Sequence, residues 1–197
     1  MGSPTRGRGQ EPAAACLCEP SPAQHASFLD ALREYHAEGL HRDLDVTLLR
    51  DRIAFQRWLD ELRRAGILGL ASEPRDRVPH RTMWWTRGGE YLGRVRLNLR
   101  LNDELREFGG HIGYDVRPSA RARGHASAML AAALTRAAAH GLEDVLLTCA
   151  PDNVPSRRVI ERNGGELLGL STAGRLLFRC ATAPTGVHAG PEHPRIQ

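Results

Sequence analysis

Between Ile112 and Cys149 the chain reads as a strand, a glycine-bearing turn, a helix and a second strand in quick succession. Ile112–Val116 is a β-type run stopped by Arg117-Pro118, since proline cannot continue a ladder. Ala126, Met129, Leu130, Ala133, Leu134 and Ala137 then fall on one helical stripe, and Gly141 ends it. Val145–Cys149 is a continuous apolar run, as expected of a strand buried on both faces. So short a crossover predicts a parallel strand pair joined by a right-handed connection.

The rest of the chain supplies strands and helices to surround this unit. A short strand is predicted around Ala15–Glu19, and Ser21-Pro22 starts a helix carrying Phe28, Leu29, Leu32 and Tyr35. A second helix is predicted from about Arg50 to Ala65, with Ile53, Trp58, Leu59 and Leu62 inward and Gly66 as its stop. Met83–Thr86 and Tyr91–Leu101 flank Arg87-Gly88-Gly89-Glu90 as a hairpin, with Val95, Leu97, Leu99 and Leu101 alternating as in a half-buried strand. Of the adjacent Trp84 and Trp85, one faces the core and the other is free to line a cleft. A further helix starts near Asn153 and ends at Asn163-Gly164-Gly165, before a hairpin of Leu167–Leu170 and Arg175–Cys180. Residues 71–80 read as a loop, 1–14 as a disordered leader and 183–197 as a disordered tail, leaving one domain over 15–182.

All 27 basic residues are arginine, against 23 acidic ones, a balance that favours anionic ligands without naming one. Interleaved surface aromatics and a nucleic-acid motif are missing, so no nucleic-acid partner is expected. No apolar run approaches transmembrane length, and the four cysteines form no framework: Cys16 and Cys18 are too close for a normal bridge, while Cys149 and Cys180 fall in core strands. Free thiols fit a reducing cytoplasm. His188 and His193 lack companion ligands, and no metal is expected.

The turn before the long helix carries the chemistry. A helix N-terminus presents unsatisfied N–H groups and the positive end of a dipole, which suits a pyrophosphate. Gly124 and Ala126 let the backbone approach an anion closely, and Arg121 and Arg123 supply charge. Val116-Arg-Pro-Ser-Ala-Arg-Ala-Arg-Gly-His-Ala126 resembles motif A of the GNAT superfamily of N-acetyltransferases. Thr148-Cys-Ala-Pro-Asp-Asn153 and Ser156-Arg-Arg-Val-Ile-Glu-Arg-Asn-Gly-Gly165 resemble its following strand and helix, and Leu101–Leu105 with Gly109–Pro118 is similar to a poorly characterised bacterial acetyltransferase subfamily.

The resemblance implies an α/β, single-domain GNAT-like mixed sheet with a splayed parallel strand pair and flanking helices. It implies acetyl-CoA as co-substrate, with the pantetheine arm paired to the backbone of Asp115 and Val116 and the pyrophosphate on N–H groups from Arg121 through Arg123, Gly124, His125 and Ala126. His125 is then a backbone donor with its ring toward solvent. Asn153 is either a cofactor contact or an N-cap, and Ser156 packs close to the cofactor. The family's helix tyrosine, an acid toward the departing thiolate, is replaced by Ile160. The candidate bases are His111, Tyr114 and Glu107. His111 has the matching pKa but is also open to a structural role, and Tyr114 must point to the opposite face. The expected acceptor is a small-molecule primary amine, with a protein N-terminus or lysine, or a degenerate CoA-binding sensor, as alternatives. A second copy of the chain stays an open partner.

Overall fold

Residues 14–67 and 78–182 are described by the computed structural model, so the predicted tail, the leader up to residue 13 and most of the 71–80 loop lie outside the described residues. Strand β1 (Cys16–Cys18) leads to Ser21, whose hydroxyl accepts from the Ala23 N–H at 3.2 Å and starts a short turn into α1 (His25–Ala37). Helices α2 (Val46–Leu49) and α3 (Arg52–Ile67) follow, each started by an aspartate: Asp45 accepts from Thr47 and Leu48, and Asp51 from Ile53 and Ala54. Strands β2 (His80–Arg87), β3 (Glu90–Asn98) and β4 (Ile112–Val116) complete one sheet in the order β1-β2-β3-β4. Helix α4 (His125–Ala139), β5 (Asp144–Cys149), α5 (Val154–Arg162), β6 (Glu166–Leu170) and β7 (Leu176–Ala181) form the rest, with a second sheet ordered β5-β7-β6.

Every ladder among the described residues is antiparallel, so the parallel pairing predicted for β4 and β5 does not form. The two strands belong to different sheets and meet only at an isolated bridge between Gly110 and Leu147. There the His111 N–H donates to Leu146 O at 2.7 Å and the Leu146 N–H donates to His111 Nδ1 at 2.8 Å. Gly110 sits at φ +67, and a Cβ there would come within 2.4 Å of Leu146 O, so glycine is required for this close approach. Beyond it the strands part.

What joins the two sheets is α4. Its predicted stripe is buried from Met129 to Ala137, against Val95, Leu97 and Ile112 of one sheet and Val145, Leu147 and Phe178 of the other. The opposite face of the four-stranded sheet carries a second core, in which Phe28, Leu32, Phe55 and Leu59 pack with Trp84 and Tyr91. Trp84 and Trp85 do point to opposite faces, but both faces are covered: each indole is buried and neither lines a cleft.

Three boundary expectations change. In α3 the buried positions are Phe55 and Leu59, while Ile53 is 64% exposed, and the helix continues through Gly66. Strand β3 ends at Asn98, whose side-chain N–H donates to Gly110 O, rather than running to Leu101. In β5, Val145, Leu147 and Cys149 are buried and the residues between them only half so, because the second face of that sheet is thinly covered. Among the described residues the cysteines are free thiols, no helix is long and apolar enough to cross a membrane, and no cluster is arranged to hold a metal.

Candidate active site

The turn after β4 is fastened from behind by α1. Arg117 is buried and its guanidinium pairs with Glu34 while donating to Ser27 Oγ at 3.2 Å and Tyr91 O at 3.3 Å. Glu34 also accepts from the Ser119 N–H and hydroxyl, both at 2.9 Å. Burial opposes its charge, but the hydrogen bonds from Arg117 and Ser119 outweigh that and hold the carboxyl below its ordinary range. Just past the end of α1, Glu38 accepts from both Nη atoms of Arg121 at 2.8 Å, and Arg121 Nε donates to Val116 O at 3.1 Å.

From this base the backbone turns sharply. Ala122 has φ 59 and Gly124 φ 80, and α4 begins at His125 with its first N–H groups lacking partners within the helix. The end of β4, this turn and the start of α5 enclose a groove of about 610 Å³. Gly124 lines it, and a Cβ built there would meet no protein atom within 4 Å.

Most of the predicted contact residues meet here. Tyr114, Asp115 and Val116 line one wall, and Arg121, Gly124, His125 and Ala126 the end at the turn. Asn153 and Ser156 face them from α5. Asn153 is both lining and cap, its Oδ1 accepting from the Ser156 N–H at 3.1 Å. Arg123 is exposed and outside the lining. The His125 ring is half-buried rather than wholly turned to solvent, with Nδ1 accepting from the Trp85 indole N–H at 3.2 Å. Burial and the charge of Arg87 lower its pKa, keeping it neutral with its proton on Nε2.

The candidate bases separate. Tyr114 lines the groove, its hydroxyl 3.0 Å from Ser156 Oγ. Glu107 is half-buried and ties two turns together, accepting from the Thr172 hydroxyl at 2.7 Å and the Ala173 N–H at 3.2 Å. The Thr172 hydrogen bond comes first among the contacts that lower its pKa, so it stays a carboxylate outside the groove. His111 has its Nδ1 lone pair engaged by Leu146, which leaves the proton on Nε2 and no free lone pair for a base.

Burial, then the charge of Arg106, lowers the His111 pKa. The unfolded chain therefore binds a proton, near pH 6.5, that the folded chain resists, and stability falls as pH drops through and below that value. Urea unfolding at pH 7, 6 and 5 is expected to show this loss, and His111→Asn, which keeps an acceptor for Leu146 but does not titrate, is expected to flatten it. An unchanged slope in the variant would contradict the assignment.

Two features had no sequence forecast. Arg158 and Arg162 line the groove from α5, one helical turn apart. Their i, i+4 spacing was legible, but the groove they face was not. The Asp115 carboxylate accepts from Tyr35 Oη at 2.6 Å and Arg94 Nε at 2.9 Å, with His41 Nε2 at 3.3 Å. Burial raises its pKa, and hydrogen bonding to His41 with the charge of Arg94 more than reverses this. Its side chain is thereby committed, and its pairing with Arg94 turns its backbone toward β3, so the predicted backbone contact with the arm falls to Val116 on the free edge of β4. No local pattern signals partners so distant in sequence.

Residues 28–166 match the family model described as Acetyltransferase (GNAT) domain. The chain belongs to the GNAT acetyltransferases. The GNAT fold is matched by solved structures at low identity. Mycobacterium smegmatis RimJ in complex with CoA-disulfide aligns at 20% identity and TM-score 0.60, over 86% of this chain and 82% of that one. RimL, a ribosomal L7/L12 α-N-protein acetyltransferase in complex with coenzyme A, aligns at 15% and 0.58 over 85% and 93%. The microcin C7 self-immunity acetyltransferase MccE in complex with acetyl-CoA and AMP aligns at 11% and 0.58 over 87% and 93%. No curated protein sequence matches the chain. As a GNAT domain it is an acyl-CoA-dependent acetyltransferase with acetyl-CoA as co-substrate, and the groove, with its helix N-terminus, open Gly124 and arginines, fits that molecule.

Proposed function

We propose that this GNAT domain transfers acetyl to the primary amine of a small molecule, such as an amine-bearing metabolite or antibiotic. The observation that carries transfer from acetyl-CoA is the groove between the end of β4 and the N-terminus of α4. The bound thioester supplies an activated acetyl carbonyl. Backbone N–H groups from Arg121 to Ala126 bind the pyrophosphate, and Arg158 and Arg162 add positive charge along the same groove. Val116, on the free edge of β4, holds the arm by its backbone, while Asn153 and Ser156 close the opposite wall. An uncharged amine then attacks directly, so positioning does most of the work. Neither His111 nor Glu107 presents a lone pair to the groove, and the ammonium proton leaves to water.

A protein α-amine is the second reading, favoured by the likeness to RimJ and RimL, the latter a protein acetyltransferase. CoA release measured with polyamines, aminoglycosides and amino-sugar amines beside N-terminal peptides separates the two. Turnover with the small amines is expected. Turnover with peptides alone would overturn the first reading in favour of the second, and silence with both, acetyl-CoA binding being intact, would overturn both.

A further inference from the structure

Tyr114 is the innermost β4 side chain of the groove, with Asp115 and Val116 between it and the phosphate turn. Its hydroxyl lies 3.0 Å from Ser156 Oγ and 3.4 Å from Ser156 O, so it reaches from β4 across to the first turn of α5. One helical turn beyond Ser156 stands Ile160, fully buried and without a hydrogen to give. Among the groove-lining residues Tyr114 alone carries a phenol. A thioester laid along β4 from the turn would bring its sulfur toward this inner end, beside the positive end of the α5 dipole.

We propose that the Tyr114 hydroxyl, released from Ser156, donates a hydrogen bond to the sulfur of the breaking thioester and stabilises the leaving thiolate. The assignment rests on the acetyl-transfer reading above. The C–N bond forms as the C–S bond breaks, the electron pair of that bond goes to sulfur, the ammonium proton goes to water, and the free thiolate takes a proton from solvent. Burial, with smaller contributions from Cys149 and Cys180, outweighs the Ser156 hydrogen bond and pushes the phenol up to about 12. A thiol titrates near about 8.5, so the proton stays on oxygen throughout. Tyr114 therefore acts as a fixed dipole rather than as an acid.

The test uses coenzyme A itself, because its free thiol needs no acceptor. Thiolate absorbance of the enzyme–CoA complex, titrated against pH, is expected to give a thiol pKa below that of free CoA by about one unit, and Tyr114→Phe is expected to move it back toward the free value, leaving only what the α5 dipole contributes. In turnover with an accepted amine, Tyr114→Phe is expected to lower kcat about 10- to 100-fold while KM for acetyl-CoA changes less than about threefold. A merely structural tyrosine would shift the melting temperature and CoA affinity together and leave the thiol titration alone. Identical titrations in the two proteins would overturn the proposal. Should the phenylalanine variant fail to fold, Ser156→Ala keeps the phenol and removes its Oγ partner: a thiol still depressed supports the proposal, and one at the free value overturns it. Failure of wild-type protein to bind CoA would instead sink the transferase reading on which the proposal rests.

Discussion

Gly124→Val is expected to weaken acetyl-CoA binding at least about 100-fold while leaving a folded protein, as read by calorimetry and thermal melting. Gly124 has φ 80 and ψ −4, a conformation that costs a β-branched residue about 1–2 kcal/mol. The protein itself raises no other objection, since a Cβ there contacts nothing within 4 Å. That empty space belongs to the groove, at the point where the α4 N–H groups converge. Valine would fill it, holding an anion away from donors whose attraction falls off within the first turn. Gly124→Ala carries the strain with less bulk and is expected to fall between the two. Undiminished affinity in the valine variant would place the cofactor elsewhere.

Arg117→Ala is the second large effect, and it falls on stability before function. The guanidinium is buried, with acceptors on Glu34, Ser27 and Tyr91. Removing it strands a carboxylate that burial already disfavours, a loss of about 3 kcal/mol, the lower end of the usual range because Glu34 remains partly exposed. Urea unfolding measures it directly. Glu34→Gln in the Arg117→Met background is expected to recover part of the loss, since no unpaired charge then remains. A change below about 1 kcal/mol would mean that Glu34 finds another partner. Because Glu34 also holds Ser119, the same variant is expected to loosen the phosphate turn and weaken CoA binding.

Sequence patterns located elements well where periodicity and punctuation agreed. The bounds of β4 follow from Arg117-Pro118, the stripe of α4 from its alanines and leucines, and Asn153 is at once the expected cap and a groove residue. Patterns failed where distant residues decide the outcome. Ile53 belongs to an apolar run, yet Phe55 and Leu59 meet Trp84, so the face of α3 was set by the sheet and not by its own sequence. Chemical type made His111 the best candidate base, but its ring nitrogen is taken by a backbone N–H from a strand 35 residues on. Arg121 carries the expected charge at the expected turn, and its pairing with Glu38 depends on a helix that no motif connects to it.

The parting of β4 from β5 leaves the molecule with a sheet edge on its inside. Strand β4 is paired to β3 along its length, and past the Gly110–Leu147 bridge its other edge has no ladder partner among the described residues. Exposed edges normally invite other chains, but this one opens into a groove walled by α4 and α5. If the pantetheine arm is the strand that completes it, acetyl-CoA is also a folding ligand. At a hundred times its Kd it would add about 2.7 kcal/mol to stability. The abundance of the enzyme in a cell would then follow the acetyl-CoA supply, with starved protein opening more often and reaching proteases sooner.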